Sequence, residues 1–280
     1  MDSFFKALAE HAFLQNALLA GLLASVSCGV MGTYVVVRRI SFLAGGIAHS
    51  VLGGMGIAYF LGKSPLLGAL LAAIIAALII GLVNLHWHEQ EDTIIGALWA
   101  IGMAIGIIFI TRTPGYNIDL MSYLFGNILL VRQEQLYLLA ALDVLILVLV
   151  VLFYKQLQAV VFDQEFAALR GVHVEWFYLL LLCLVALTVV ILVQIVGLIM
   201  VIALLTLPAA IARQYVSSLG KMMLIAMVLA MFFNSSGVAV SFELDLPSGA
   251  TVILIAGSLY FSSLVTTAVV RRWRAQKLMR

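Results

Sequence analysis

The sequence predicts an all-α fold, a polytopic helical membrane protein with eight to nine transmembrane helices. Three observations carry that prediction. Hydrophobic residues make up 65% of the 280-residue chain and charged residues only 10%, against about 45–50% and about 25% in soluble proteins. Mean hydropathy is +1.19. The apolar residues also fall in uncharged stretches long enough to cross hydrocarbon, where about 20 residues rising about 1.5 Å each cover about 30 Å. The 15 Lys+Arg and 13 Asp+Glu cannot cover a soluble surface of this size. A large soluble catalytic domain, a secreted disulfide scaffold and a nucleic-acid-binding protein are thereby excluded, and residues 1–280 read as one transmembrane domain.

The spans follow in order. Uncharged stretches run 11–37, 40–62, 64–88 and 93–111; 135–154 holds one charge, Asp143; then come 176–212, 222–242 and 246–270. The 37 residues of 176–212 would make one helix of roughly 55 Å, too long for a single crossing. The stretch therefore splits near Gln194 and Gly197 into two spans joined by a tight turn, giving nine. One span with a re-entrant piece gives eight. Charge favours nine. With Arg38 and Arg39 placed in the cytoplasm, alternation puts eleven Lys and Arg inside and four outside. Positive charge is retained inside, so the N-terminus is expected out and the C-terminus in.

Between spans, the outer loop 112–134 carries Pro114-Gly115-Tyr116 and an apolar patch from Leu120 to Leu130, which suits the membrane face. The inner loop 86–92 is a polar knot. The inner loop 155–175 holds an amphipathic piece: Asp163 can cap its start, Phe162, Phe166 and Leu169 line one side, and Gly171 can end it. Two turns are not stable alone in water, so the piece docks either on the chain's own spans or on a partner. Arg271-Arg272-Trp273-Arg274 reads as an interfacial anchor or an ordinary stop signal.

Several catalytic motifs nearly form and fail. Gly62-Lys63-Ser64 resembles the end of a phosphate-binding loop, but Ile57 stands where its first glycine is needed. His88-Glu89-Gln90-Glu91-Asp92 starts like a zinc-protease helix and lacks the second histidine. Cys28 and Cys183 lie in apolar runs as core thiols, without zinc-site spacing. Ser25-Val26-Ser27-Cys28 resembles a lipoprotein cleavage site, but Asp2, Lys6 and Glu10 break a signal-peptide start, so the N-terminus is expected to be retained.

The most informative segment is 38–56. On a helix Gly45, His49 and Gly53 stack at i, i+4 and i+8, beside a stripe of Gly46, Ser50 and Gly54. Small residues admit a neighbouring backbone. His49 then either meets a permeating ion, imidazole being a good zinc ligand, or hydrogen-bonds a carbonyl in a packing helix. Asp143, the one acid inside a span, is a metal ligand or a packing group. Glu243 and Asp245 attract cations at an outer mouth or are simply solvated. Gly102 and Gly106 form a GxxxG contact.

Taken together, several of these segments resemble the membrane permeases of ATP-binding-cassette importers for zinc and manganese. The resemblance covers about residues 10–270. It rests on Tyr34 to Phe42 with Ala48-His49-Ser50, on Asp92 to Gly96, on Leu124 to Leu129, on Phe162 to Ala167 with Gly171, on Val196-Gly197-Leu198 to Thr206-Leu207-Pro208-Ala209-Ala210, and on Asp245 to Ala250. What the resemblance implies is a type II importer permease of the bacterial plasma (inner) membrane, itself without enzymatic activity and without a bound cofactor. It works as a homodimer with cytoplasmic ATPase subunits that bind ATP and with a periplasmic or surface-anchored metal-binding protein. Segment 156–175 is the cytoplasmic coupling element, with Phe162, Asp163, Glu165, Phe166, Leu169, Arg170 and Gly171 on the ATPase. The family places an Asp and a His four residues apart on the second span. His49 matches the His, and Gly45 stands in the place of the Asp. Either another acid such as Asp143 substitutes, or the ion moves through a sparser, more transient site; the lost carboxylate favours zinc over manganese, with iron also possible as cargo. A permease for a metal chelate and an ion-gradient-driven secondary transporter are the alternatives.

Overall fold

The computed structural model describes residues 2–86, 91–113, 126, 128–198 and 201–278. The elements are α1 (Asp2–Glu10), α2 (Ala12–Arg38), α3 (Ser41–Phe60), α4 (Pro65–His86), α5 (Glu91–Arg112), a 3-10 turn (Ile128–Leu130), α6 (Gln133–Leu152), α7 (Tyr154–Phe162), α8 (Gln164–Leu169), α9 (Val174–Val196), α10 (Val201–Tyr215), α11 (Leu219–Leu244) and α12 (Ser248–Leu278). Among the described residues eight helices are long and apolar enough to cross a membrane: α2, α3, α4, α5, α6, α9, α11 and α12. Most of loop 112–134 and of the polar knot 86–92 lies outside the described residues.

The expected break in 176–212 falls at Gly197, whose φ of +80° lies in the region that glycine tolerates best. The second half is shorter than a full crossing. α10 has 15 residues, about 22 Å. Both halves nevertheless meet the same end of α2: Arg38 lies 5.9 Å from the Tyr178 ring near the start of α9, and Arg213 near the end of α10 donates to the Val36 carbonyl at 3.1 Å. The chain thus leaves that end in α9 and returns to it in α10, so the following helices alternate as they do with nine crossings. Gly126 packs against the backbone of Val196 and Gly197, and Ile128 reaches the Gly21 level of α2.

α2 and α3 are the buried centre, and small residues put them there. Along α2, Gly21, Ser25 and Gly29 recur every four residues; Gly29 faces the Met227 backbone and Gly21 faces Asn234, both on α11. Gly32 lies under the Leu205 carbonyl of α10. With lipid as apolar as any side chain, close backbone packing rather than hydrophobic burial holds such helices together. Several polar groups inside find a partner on their own helix or on the next one. Thr33 donates to the Gly29 carbonyl (2.7 Å), Thr188 to Leu184 (2.9 Å), and Asn234 to Gly21 (3.1 Å) and to the Ser25 hydroxyl (2.8 Å).

α3 is clasped by α4 and α5. A side chain at Gly54 would overlap the Gly68 carbonyl of α4, and one at Gly53 would come within 2.8 Å of the Gly102 carbonyl of α5. Gly56 meets Gly106 in the same way at 2.7 Å. Gly54→Leu is therefore expected to force α3 and α4 apart at a cost of about 3 kcal/mol. Size-exclusion chromatography of solubilised protein should show loss of the monodisperse peak. A normal profile would contradict the contact.

Candidate functional site

α3 carries His49 one turn from Gly45 on the side that faces α5 and α10. The imidazole is 8% exposed. It stacks on the Trp99 indole with ring centroids 3.9 Å apart and planes 10° from parallel, and its Nδ1 has no hydrogen-bond partner. The close neighbour that the small residues admit on this face is α5, through Trp99. A Cβ at Gly45 would lie 2.7 Å from Ile202 Cδ1 of α10 and 3.5 Å from the Trp99 ring. The family's carboxylate position is occupied by an aliphatic tip and an indole edge. Below it, Ser50 donates to the Gly46 carbonyl at 2.8 Å, which ties off the neighbouring hydroxyl. Stacking fixes the plane of the imidazole, and a bare ring nitrogen at membrane depth is a donor for a soft or borderline cation.

Trp99 and Ile202 were not singled out from the sequence. For Trp99 a signal existed: residues 99, 102 and 106 share one face of α5, and Gly102 and Gly106 already mark it as the face toward α3. Ile202 follows a break of helix and carries no such mark.

Asp143 sits elsewhere. It is 3% exposed on α6 and stands against α2 beside Ser27 and Cys28, not against the His49–Trp99 stack. Neither carboxyl oxygen makes a hydrogen bond of good geometry; the donor at hand is the Ser27 hydroxyl, which turns to the Ala24 carbonyl at 3.5 Å. Among the described residues no three His, Cys, Asp or Glu gather as a metal cage. Leaving buried polar atoms unpaired costs about 1–3 kcal/mol, so Asp143→Leu is expected to raise the thermal midpoint of the purified protein. An unchanged or lower midpoint, read by scanning fluorimetry, would show that the carboxyl is satisfied.

Glu243 and Asp245 are exposed at the end of α11, opposite the Arg38 end of the bundle. Asp245 adopts φ +52° and closes that helix, with the Leu246 N–H donating to the Ser241 carbonyl at 3.1 Å. Its position has a structural use independent of charge.

At the Arg38 end, segment 156–175 forms a short helical corner. The Asp163 carboxylate accepts from the Phe166 N–H at 2.9 Å and caps α8. Gly171, at φ +77°, ends it, with the Val172 N–H donating to the Ala167 carbonyl at 3.0 Å. Glu165 lies in the first turn, where the helix dipole favours an acid. Arg170 folds back over the Phe166 ring at 5.1 Å. Ala167 anchors the corner in the core, while Phe162, Phe166 and Leu169 are 58%, 50% and 87% exposed. Beside it lies a cavity of about 460 Å³ between Val37, Phe162, Arg213, Gln214 and Met222. The apolar side of the corner is turned outward, at the end of the bundle that also carries Arg38, Arg39, Arg213 and Lys221.

Comparison with known proteins gives a consistent answer. The chain is 42% identical over 257 residues to a "Probable metal transport system membrane protein" of Chlamydia pneumoniae, covering 90% of this chain and 88% of that one. It is 34% identical over 278 residues to the manganese transport system membrane protein MntC of Halalkalibacterium halodurans, covering 98% and 95%. Among solved structures it superposes on PsaBC from Streptococcus pneumoniae in complex with Fab with a TM-score of 0.85, at 30% identity over 94% of both chains. The sequence pattern of the ABC 3 transport family matches residues 10–267, and the chain belongs to that family.

Proposed function

We propose that this protein is the membrane permease of an ATP-driven importer for a divalent transition metal, with zinc as the cargo, and that the metal passes His49. The single observation that carries the reading is the buried imidazole with an unpartnered Nδ1 at the junction of α3, α5 and α10. Relatives named for metal transport support the class of cargo. Two copies enclose the pathway. A binding protein delivers metal to the end that carries Glu243 and Asp245. ATPase subunits seat on the exposed corner of Phe162, Phe166 and Leu169, and ATP-driven closure moves that corner and tilts the spans. The clustering of Arg38, Arg39, Arg213 and Lys221 with the corner supports placing that end in the cytoplasm of a bacterial inner membrane, N-terminus out and C-terminus in. Transport requires binding weak enough to release, which suits a single imidazole whose partner carboxylate is replaced by Ile202 and Trp99.

Manganese is the second reading, favoured by the MntC relative. Uptake of radiolabelled zinc and manganese by cells carrying the complete transporter separates the two. Zinc uptake that excess manganese does not suppress is the expected result, since manganese prefers oxygen donors. Manganese uptake indifferent to zinc would overturn the zinc assignment and leave the importer reading standing. Equal indifference to both metals would overturn the importer reading.

A further inference from the structure

α4 and α5 both pack tightly on α3 but touch each other only slightly. Glycine is the reason. Gly54–Gly68 pins α4, and Gly53–Gly102 with Gly56–Gly106 pins α5. Between them lies a groove of about 520 Å³. Its floor is Gly53 and Gly54, and its walls are Leu71 and Ile75 of α4 and Ile101 and Ile105 of α5. Leu71, Ile75 and Ile101 are 63%, 55% and 56% exposed, so the groove opens sideways to the membrane. Its one charged lining residue is Lys63, in the turn between α3 and α4, at the end opposite Arg38. The turn is fixed by the Lys63 N–H, which donates to the Ala58 carbonyl at 2.8 Å. Among the described residues the Lys63 ammonium has no ion-pair partner.

We propose that this groove holds one phospholipid of the leaflet that Lys63 faces, its acyl chains along Leu71, Ile75 and Ile101 and its phosphate on the Lys63 ammonium. Length and charge agree on that occupant. The α4 wall from Leu67 to Ile79 is about 18 Å long, close to one leaflet's share of the roughly 30 Å hydrocarbon core. Leu71, Ile75 and Ile101 offer an apolar wall along which an alkyl chain can lie. The mouth carries a cation, which matches a phosphate and would be costly to bury against another protein.

The test is native mass spectrometry of the full chain taken into detergent from nanodiscs of phosphatidylcholine and phosphatidylglycerol in equal amounts. The wild-type protein is expected to retain one phospholipid per protomer, with phosphatidylglycerol preferred about fivefold, the ratio that corresponds to about 1 kcal/mol for one lysine at an anionic surface. Lys63→Gln should retain lipid without preference. Ile75→Trp, at an exposed wall position, should fill the groove and retain none, with a size-exclusion profile beside it to show that the variant is folded. Retention unchanged by Ile75→Trp, or a preference unchanged by Lys63→Gln, overturns the proposal. So does efficient disulfide cross-linking between copies through Leu71→Cys, which would make the groove a protein interface.

Discussion

The double substitution Phe166→Asp with Leu169→Asp is expected to abolish ATP-driven uptake while leaving the permease folded. Both side chains are at least half exposed, at 50% and 87%, and neither supports the core, which is held here by Ala167 at 0% exposure. The cap from Asp163 and the turn at Gly171 do not involve them. As anchors in a partner's groove, each is worth about 2 kcal/mol. Losing both weakens the association about a thousandfold. Co-purification of the ATPase subunits with the variant, together with a size-exclusion profile, reads the two halves of the prediction separately. Retained ATPase would remove this corner from the proposed coupling surface.

His49→Ala has the second large expected effect. It removes the imidazole whose Nδ1 is unpartnered at the α3–α5–α10 junction, and uptake at limiting metal should fall about tenfold or more, by comparison with the 10–100-fold cost of losing even an outer-shell partner of a metal. The indole of Trp99 provides an internal control. Trp99→Phe keeps an aromatic platform under the imidazole, so its effect should be smaller than that of His49→Ala. If both variants match the wild type in initial uptake rate, His49 is a packing residue and the pathway lies elsewhere. Because the stack is buried, thermal stability of His49→Ala must be measured beside uptake. A loss of uptake with an unchanged midpoint separates the two roles.

The corner at 156–175 was legible in the sequence because its determinants are local. An acid three residues before the N–H it caps, a glycine two positions past the last helical turn and apolar residues at helical spacing are all decided within ten residues of chain. The site around His49 was legible only in part. Helical periodicity put His49 between Gly45 and Gly53 and predicted close approach of another helix on that face. It could not say that Trp99 and Ile202 would arrive there, because those residues come from helices about 50 and 150 positions away along the chain. Gly45 reads as a missing ligand in one dimension. In three it is the space that Ile202 occupies.

Asp143 makes the same point from the other side. As the one acid within a span it was a reasonable candidate to replace the carboxylate absent at residue 45, yet α6 lies against α2, and its carboxyl faces Ser27 and Cys28. The split of 176–212 was visible in length and in Gly197. The shortness of α10, and its return to the Arg38 end, were not.

What the sequence determined by itself is the membrane, the spans and the local turns, since hydrocarbon thickness, charge exclusion and backbone caps act on contiguous stretches of chain. Only the tertiary structure decided what surrounds each polar group inside the bundle. In lipid, hydrophobicity does not tell one apolar face from another. Partner choice there is settled by backbone fit at glycines such as Gly29, Gly32, Gly53 and Gly54, and fit is a property of two surfaces at once.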